Sequence, residues 1–396
     1  MGLPLRRSPH VALDAALDAA PEAAVVPVSA LEPGAWDALA LAAVEPHPFY
    51  ARRPVEAHRA SGLAPADLAA VVVPGPAGVS GGLAALLPFV LRADIAGLGA
   101  AIAQPFLSPY VTASAPLVAD GPDLDLRLDA LVAGLARASG GRCWRWPLLA
   151  VESRPGAGLL AAMARAGWQV ATVASFERPV LDRRASHLAF LADHPHKSRL
   201  KDLRRRRRRL AESGALAFET ATEGPALEQA LDAFLALEAA GWKGEAGTAL
   251  ASRPDSARFA RALFRQDETS GPPAVRADSL CLDGRTIAAS LALVSGRTAY
   301  LLKTAYDESL RAHAPGLVLE DEIIRALHDT TFADRLDSAT LPGSPLEGLF
   351  PERVRIAEIL ALPPGGGSLL PLERRADLAR FEHRARAEVK RLIGRR

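Results

Sequence analysis

The residues best suited to chemistry lie in a loop that ends at Gly316. Arg311-Ala312-His313-Ala314-Pro315-Gly316 stands directly before LVLEDEIIRALHD, in which apolar residues recur at helical spacing. The N-terminus of a helix presents unpaired backbone N–H groups and the positive end of the helix dipole. The loop therefore suits an anion such as a pyrophosphate, although Pro315 removes one N–H donor. The alternative is an ordinary loop-to-helix junction.

Three strand candidates lead into this loop, and a fourth follows the helix. Asp283-Gly284, typical of a type I′ hairpin, joins SLCL to RTIAASLALV, and Ser295-Gly296 turns the chain into RTAYLLKTAY. The small and aliphatic residues of the middle run indicate a strand buried on both faces. ADRLDSATL predicts a last short strand. The stretch 279–337 therefore reads as a strand meander, a loop, a helix and a strand.

This order resembles the core of the GNAT acyltransferase superfamily, in which a Q/R-x-x-G-x-G/A loop holds the pyrophosphate of an acyl-coenzyme A. Arg311 and Gly316 occupy its first and last positions, and Ala314 replaces the usual first glycine. The resemblance implies that acetyl-coenzyme A, or another acyl-coenzyme A, is the co-substrate, with no metal. The donor-binding positions that it implies are Leu302, Thr304, Arg311, Ala314, Gly316 and Leu317.

A second stretch resembles one branch of this superfamily. LEAAGWKGEAGTAL, residues 237–250, is similar to the LEaagWKg…GTA signature of the bacterial cellulose-biosynthesis-type acetyltransferases. Shorter pieces at 314–316, 336–338 and 342–345 follow in that family's order. The resemblance implies substrate-binding roles for Trp242 and Lys243. A packing role is the alternative for Trp242.

The candidate catalytic side chains come from three elements of this region. Acyl transfer to an amine needs a proton acceptor, and the polar candidates for it are Glu238, Asp337 and His313. Lys303 lies on the strand before the loop and could neutralise an anionic substrate. As alternatives, Glu238 could cap a helix or pair with Lys243, Asp337 could form a turn, and Lys303 could extend from the strand edge into solvent.

Two further tasks in acyl transfer are to polarise the thioester carbonyl and to protonate the departing thiolate. The GNAT resemblance assigns the first task to backbone donors at 301–304. The superfamily usually supplies the second from a tyrosine after the core helix, but the last tyrosine of this chain is Tyr306. The sequence contains no G-x-S-x-G elbow, H-E-x-x-H pair or Walker loop that would indicate another chemistry.

The N-terminal half repeats a similar order of strands and helices and resembles a second, diverged GNAT-like unit without the phosphate loop. This arrangement is similar to that of the Fem-type peptidyltransferases; the alternative is another α/β domain of similar size. The predicted fold class is α/β with mixed α+β sheets: two GNAT-like domains in tandem, each a central, mostly antiparallel sheet flanked by helices. The predicted units are a loose arm (1–24), the N-terminal GNAT-like domain (25–180), the acyltransferase domain (181–362) and a Gly/Pro linker with a basic amphipathic tail helix (363–396).

A run of six arginines, Arg204 through Arg209, lies in a predicted helix whose Leu200, Leu203 and Leu210 would face a core. It could bind phosphate or an acidic substrate, such as tRNA or a nucleotide-linked sugar, or be the solvated face of a structural helix. The basic tail helix could dock on the body of the protein, on a partner or on an anionic membrane surface.

Composition narrows the functional classes. A net charge of +2 over 396 residues excludes nucleic-acid binding by overall field. Cys143 and Cys281 are far apart and read as buried free thiols, and no metal-ligand spacing is present. Asp14 and Asp18 interrupt any signal-peptide core, and the longest apolar run is about half a membrane span. We therefore expect a cytoplasmic protein without a transmembrane segment.

The sequence predicts an acyl-coenzyme A-dependent N-acyltransferase, with acetyl as the expected acyl group. The acceptor would be an amine-bearing small molecule or a precursor of the cell envelope or an exopolysaccharide. The other expected partner would be an envelope-synthesis protein or tRNA. The alternatives are a Fem-like transferase that uses aminoacyl-tRNA and a non-catalytic GNAT-fold scaffold for polysaccharide synthesis.

Overall fold

The computed structural model describes residues 22–75, 82–93, 99, 101–265, 271–367 and 370–393. Most of the predicted arm (1–24) lies outside these residues, as does most of a glycine-rich turn at 75–82. Ala24, the last residue assigned to the arm, begins the first strand.

Thirteen strands of the described chain form one mixed sheet. They are β1 (Ala24–Pro27), β2 (Ala69–Pro74), β3 (Leu83–Ala93), β4 (Ala101–Pro105), β5 (Leu117–Val118), β6 (Trp144–Ala150), β7 (Gln169–Asp182), β8 (Leu216–Ala221), β9 (Ala274–Leu282), β10 (Arg285–Ser295), β11 (Thr298–Tyr306), β12 (Arg335–Asp337) and β13 (Glu352–Leu362). Their order across the sheet is β1-β2-β3-β4-β6-β13-β7-β12-β11-β10-β9-β8, and β5 pairs with β3. The predicted α/β class with mixed sheets is confirmed.

Helices cover both faces of this sheet. The described chain forms α1 (Pro33–Ala42), α2 (Arg52–Ser61), α3 (Leu124–Ser139), α4 (Arg154–Arg165), α5 (His187–Asp193), α6 (Lys197–Glu212), α7 (Gly224–Ala240), α8 (Trp242–Glu245), α9 (Pro254–Phe264), α10 (Pro315–Thr330) and α11 (Leu372–Ile393). In the C-terminal half, α6 and α10 pack on one face of the sheet, and α7 and α9 pack on the other. As the spacing predicts, Leu200, Leu203 and Leu210 of α6 are buried.

Strands β7 and β13 join the two halves. β13 lies between β6 and β7 and pairs antiparallel with both, and β7 continues past it to pair with β12. The predicted boundary at 180/181 therefore falls inside β7, because this 14-residue strand serves both halves. The domain limits remain a prediction.

The sheet opens beside β11. β11 and β12 are parallel neighbours, joined by the crossover helix α10, and they pair only from Thr298 to Tyr300. Residues 301–306 of β11 extend beyond the last pair, so on that side they have no strand partner among the described residues. This unpaired edge leaves space between β11 and the segment that follows β12.

Candidate active site

A cavity of about 440 Å³ fills the opening beside β11. This volume is typical of a small-molecule site, for which the usual range is about 300–1,000 Å³. Its walls are the end of α7, the short helix α8, residues 301–306, the first turns of α10 and the loop after β12. Eight of the residues that the sequence singled out line it: Glu238, Trp242, Lys243, Leu302, Lys303, Thr304, Gly316 and Leu317.

The β11 wall contains a β-bulge at Leu302. Leu291 of β10 pairs with Lys303 and the next residue, Ala292, pairs with Leu301, so Leu302 is an extra residue without a partner on β10. A bulge disrupts the ladder locally and redirects backbone and side-chain groups. The irregularity lies at the position where the resemblance places the groups that polarise a thioester carbonyl.

The first turn of α10 packs closely against the same strand. A Cβ added to Gly316 would lie 3.1 Å from Cδ1 of Tyr306, so the lack of a side chain permits this approach. Ala314 precedes the helix with φ of 47°, in the left-handed region that favours glycine. Its carbonyl accepts from the N–H groups of Leu317 (3.0 Å) and Val318 (3.1 Å). Within the described chain, the Gly316 N–H has no partner and remains free for an anion.

Residues 308–313, ahead of α10, form a 3-10 turn held by neighbouring helices. Arg206 of α6 donates to the carbonyl of Ala312 at 2.6 Å, and Glu308 accepts from the N–H of Trp242 at 2.9 Å. The exposed guanidinium of Arg311 has no hydrogen bond or ion pair among the described residues. Arg311, Ala314 and His313 do not line the cavity; they lie in the turn and the helix cap beside it.

Glu238 is a buried anchor for the lysines of the cavity. Its Oε1 accepts from Lys303 at 2.7 Å and lies 3.4 Å from Nζ of Lys243, and its Oε2 accepts from the N–H of Leu250 at 2.7 Å. Lys243 also donates to the carbonyl of Thr304 at 3.2 Å. Burial lowers the pKa of Lys243; Glu238 opposes this and Lys303 reinforces it. The arrangement fixes two cations on one wall and leaves both oxygens of Glu238 engaged.

Trp242 lies at the rim of the cavity, with 56 % of its side chain exposed. This exposure does not favour the packing role that the sequence left open for Trp242. The preceding residue, Gly241, ends α7, and α8 then directs the indole outward instead of into the core.

Asp337 lies behind the cavity and does not line it. It is 3.8 Å from Arg178, and its Oδ1 accepts from the N–H of Ala339 at 2.7 Å. Burial raises its pKa, and the charge of Arg178 opposes the shift. Its neighbours Ser338 and Thr340, whose hydroxyls are 2.9 Å apart, do line the cavity.

The sequence did not single out Glu320, which is 3 % exposed and lines the cavity one helical turn after Gly316. Oε1 accepts from the hydroxyl of Thr304 at 2.7 Å, and Oε2 has no hydrogen-bond partner among the described residues. Burial raises its pKa to about 7. Its place in Glu320-Asp321-Glu322 suggests a solvated face. The signal that would have found it is the four-residue spacing from Gly316, which puts both on one face of α10.

The comparisons with known proteins identify part of the chain. Residues 197–340 match the acetyltransferase (GNAT) domain family model. This stretch is a GNAT acetyltransferase domain, and the protein is accordingly an N-acyltransferase. No curated protein matches the chain. The narrower resemblance to the cellulose-biosynthesis-type branch remains a prediction.

Several solved structures are similar to the chain at low sequence identity. A crystal structure of FemX has a TM-score of 0.54 at 11 % identity, with 86 % of this chain and 97 % of that one covered. A C-terminal domain of a putative lysylphosphatidylglycerol synthetase from Agrobacterium fabrum gives 0.46 at 14 %, with 74 % and 84 % covered. A tandem GNAT protein from the clavulanic acid biosynthesis pathway gives 0.40 at 17 %, with 88 % and 100 % covered. The FemX likeness shows that this chain has its overall fold.

The described residues lack two features that are typical of other classes of protein. No group of three or more His, Cys, Asp or Glu side chains is placed to hold a metal ion. None of the helices searched is both long and apolar enough to cross a membrane. Cys143 and Cys281 are buried, and no disulfide joins them in the described part of the chain.

Proposed function

We propose that the protein transfers an acyl group, acetyl in the simplest case, from an acyl-coenzyme A to a primary amine in the cavity beside β11. The observation that carries the proposal is the meeting of three features in one cavity. These are the unpaired edge of β11 with its bulge at Leu302, the first turn of α10 at Gly316, and the lysine-lined wall next to Trp242. The acceptor would be a small amine or a cell-envelope or exopolysaccharide precursor, met in the cytoplasm.

Each part of the cavity has a role in this proposal. The pyrophosphate of the donor binds at the Gly316 N–H beside the unpaired Arg311, and the pantetheine arm follows the open edge of β11. The acceptor enters past Trp242, where Lys243 and Lys303 favour an acceptor that carries an anionic group. Ser338 and Thr340, on the opposite wall, are the hydroxyls next to the departing sulfur. Asp337 positions them through its bond to Ala339.

Calorimetric titration with acetyl-coenzyme A tests the donor site. Wild-type protein should bind it, and the double variant Arg311→Ala, Gly316→Val should lose at least tenfold in affinity. The variant removes the unpaired cation and places a branched side chain against Tyr306. Arg374→Ala, Gly367→Val is the matched control, because Arg374 is exposed and a Cβ on Gly367 would meet nothing within 4 Å. Equal affinity in both double variants would contradict the assignment of the loop.

A second candidate function, transfer from an aminoacyl-tRNA, is favoured by the position of α6. Arg206 ties this helix to the turn before α10, so its basic surface adjoins the proposed donor site. Arg204 and Arg209 are exposed, and neither has an ion-pair partner among the described residues. Other arginines of the run are partly neutralised, as Arg205 is by Asp202 at 2.6 Å. The polynucleotide would lie along α6 with its charged end at the cavity.

Salt-dependent binding separates the two candidates. If tRNA is the donor carrier, Arg204→Gln, Arg209→Gln should lower the slope of log affinity against log salt by about 2, one for each lost phosphate contact. Arg374→Gln, Arg384→Gln on α11 is a charge-matched control that should leave the slope unchanged. Acetyl-coenzyme A binding together with undetectable tRNA binding at low salt would rule the second candidate out.

A further inference from the structure

Glu320 differs from the other acidic groups around the cavity because, among the described residues, one of its oxygens is buried without a hydrogen-bond partner. The carboxylate lies on the α10 wall between Gly316 and Thr304. Thr304 donates to Oε1, and Oε2 is buried with no hydrogen-bond partner. An unpartnered buried carboxylate oxygen is costly, so its presence in a cavity wall calls for a ligand that supplies the missing donor.

No cation among the described residues forms an ion pair with Glu320. Ser290 of β10 and Thr304 of β11 present hydroxyls, 3.3 Å apart. Asp278 of β9, whose charge raises the pKa of Glu320, is already paired with Arg276 at 2.7 Å. On the α6 side of α10, Arg207 pairs with Glu322, and the charges of Arg204 and Arg207 act on Asp321.

Glu238 and Asp337, the two carboxylates that the sequence singled out, are less suited to take a proton. Glu238 holds Lys303 and the N–H of Leu250 with its two oxygens, so a proton there would break an existing ion pair. Asp337 faces Arg178 behind the wall and does not reach the cavity. Geometry therefore separates one free carboxylate from two structural ones.

We propose that Glu320 is the general base that accepts a proton from the acceptor ammonium during acyl transfer. The amine lone pair then attacks the thioester carbonyl, the C–N bond forms and the C–S bond breaks. The departing sulfur carries away its electron pair and takes up a second proton from the nitrogen, so free thiol and amide are the products. Glu320 returns its proton to water. This inference rests on the proposed function and deepens it by naming the base.

The raised pKa of Glu320, about 7, is matched to this task. A base whose pKa lies near the working pH is ionised often enough to accept a proton and basic enough to draw it from an ammonium. A donor bound at Gly316 would bring negative phosphates and exclude water, which raises the pKa of Glu320 further. Acetyl-coenzyme A binding near pH 7 should therefore be accompanied by proton uptake at this residue.

Proton-linked calorimetry tests the contact without knowledge of the natural acceptor. Wild type, Glu320→Gln and Asp321→Asn are titrated with acetyl-coenzyme A at pH 7 in PIPES and in imidazole, two buffers of different ionisation enthalpy. Wild type and Asp321→Asn should take up protons, and Glu320→Gln should bind with affinity within about threefold of wild type but lose that uptake. Asp321 is the matched control: a buried acid on the same helix, with its pKa raised to about 6, that does not line the cavity.

Turnover tests the catalytic step itself. Release of coenzyme A thiol, with glucosamine as the amine probe, is followed from pH 5.5 to 9. Glu320→Gln should lower kcat about 100-fold or more, the usual value of a general base, and abolish the rise of kcat/KM near pH 7. If Glu320→Gln kept the pH profile of wild type, the inference would be overturned. If wild type does not turn over glucosamine, the calorimetry decides, and proton uptake by Glu320→Gln equal to that of wild type would overturn the inference. Failure of wild type to bind acetyl-coenzyme A would instead overturn the proposed function.

Discussion

The three buried carboxylates at or beside the cavity, Glu238, Glu320 and Asp337, differ in what their oxygens contact. Glu238 neutralises lysines, Asp337 faces an arginine, and Glu320 receives one hydroxyl hydrogen bond. Since residue type and burial are similar in all three, the difference in chemistry comes from the partners. Burial without a cation favours the protonated form of Glu320, so ionising this residue should destabilise the folded protein.

We expect Glu320→Gln to stabilise the fold at alkaline pH. In the folded protein burial raises the pKa of Glu320 to about 7, from an ordinary value of 4.5. Between these values the unfolded chain loses the proton while the folded protein keeps it, so wild-type stability falls as the pH rises through this window. The full penalty, about 3 kcal/mol at 1.36 kcal/mol per pKa unit, applies above pH 7.

Urea unfolding at pH 4 and pH 8 measures this effect. The stability of Glu320→Gln relative to wild type should rise by about 3 kcal/mol between the two pH values. Glu373→Gln, at an exposed site on α11, is the control and should show no such rise. A pH-independent difference between Glu320→Gln and wild type would mean that this carboxyl has the same pKa in the folded and unfolded states and would contradict the prediction.

At the scale of the elements, local signals predicted the strand meander and the helix that follow one another from β9 to β12. Asp283 and Gly284 both have positive φ, 50° and 76°, as a type I′ turn requires, and this turn joins β9 to β10. The periodicity predicts α10, and the loop pattern places Gly316 at its start. These features depend on residues that are close together in the chain, so the sequence alone predicts them.

What the sequence did not predict depends on distant contacts. Helix α2 lacks an apolar stripe: it buries the polar His58, whose ring bonds to the carbonyl of Pro54 and the hydroxyl of Ser108. Glu320 becomes a cavity residue only because β11 and β12 diverge over it. Likewise, the place of β13 between β6 and β7 follows from no local signal in the sequence. Such pairings join residues some 200 positions apart, for example Ile359 and Trp146.

At the scale of the whole molecule, each half depends on the other because β7 and β13 pair with strands of both halves. β13 comes from the C-terminal end of the chain but pairs along its length with strands of the N-terminal half, and β7 carries that support on to β12. Damage in β13 should therefore destabilise both the tryptophan-rich core of the first half and the donor site of the second. We expect the two halves to unfold in one cooperative transition.

Ala357→Pro tests this dependence. Ala357 lies in β13 opposite Leu149 of β6 and Ser175 of β7, so it has strand neighbours on both sides. Proline there removes a backbone donor from the interior of a sheet and leaves a buried partner unsatisfied, at a cost of about 1–3 kcal/mol besides steric strain.

Fluorescence of the buried Trp36, Trp144 and Trp146 reports on the first half, and acetyl-coenzyme A binding reports on the second. Both signals should be lost at the same, lower temperature than in wild type, while Ala357→Ser, which keeps its N–H, should retain both. A loss of the tryptophan transition with wild-type binding would show that the halves are thermodynamically independent despite their shared sheet.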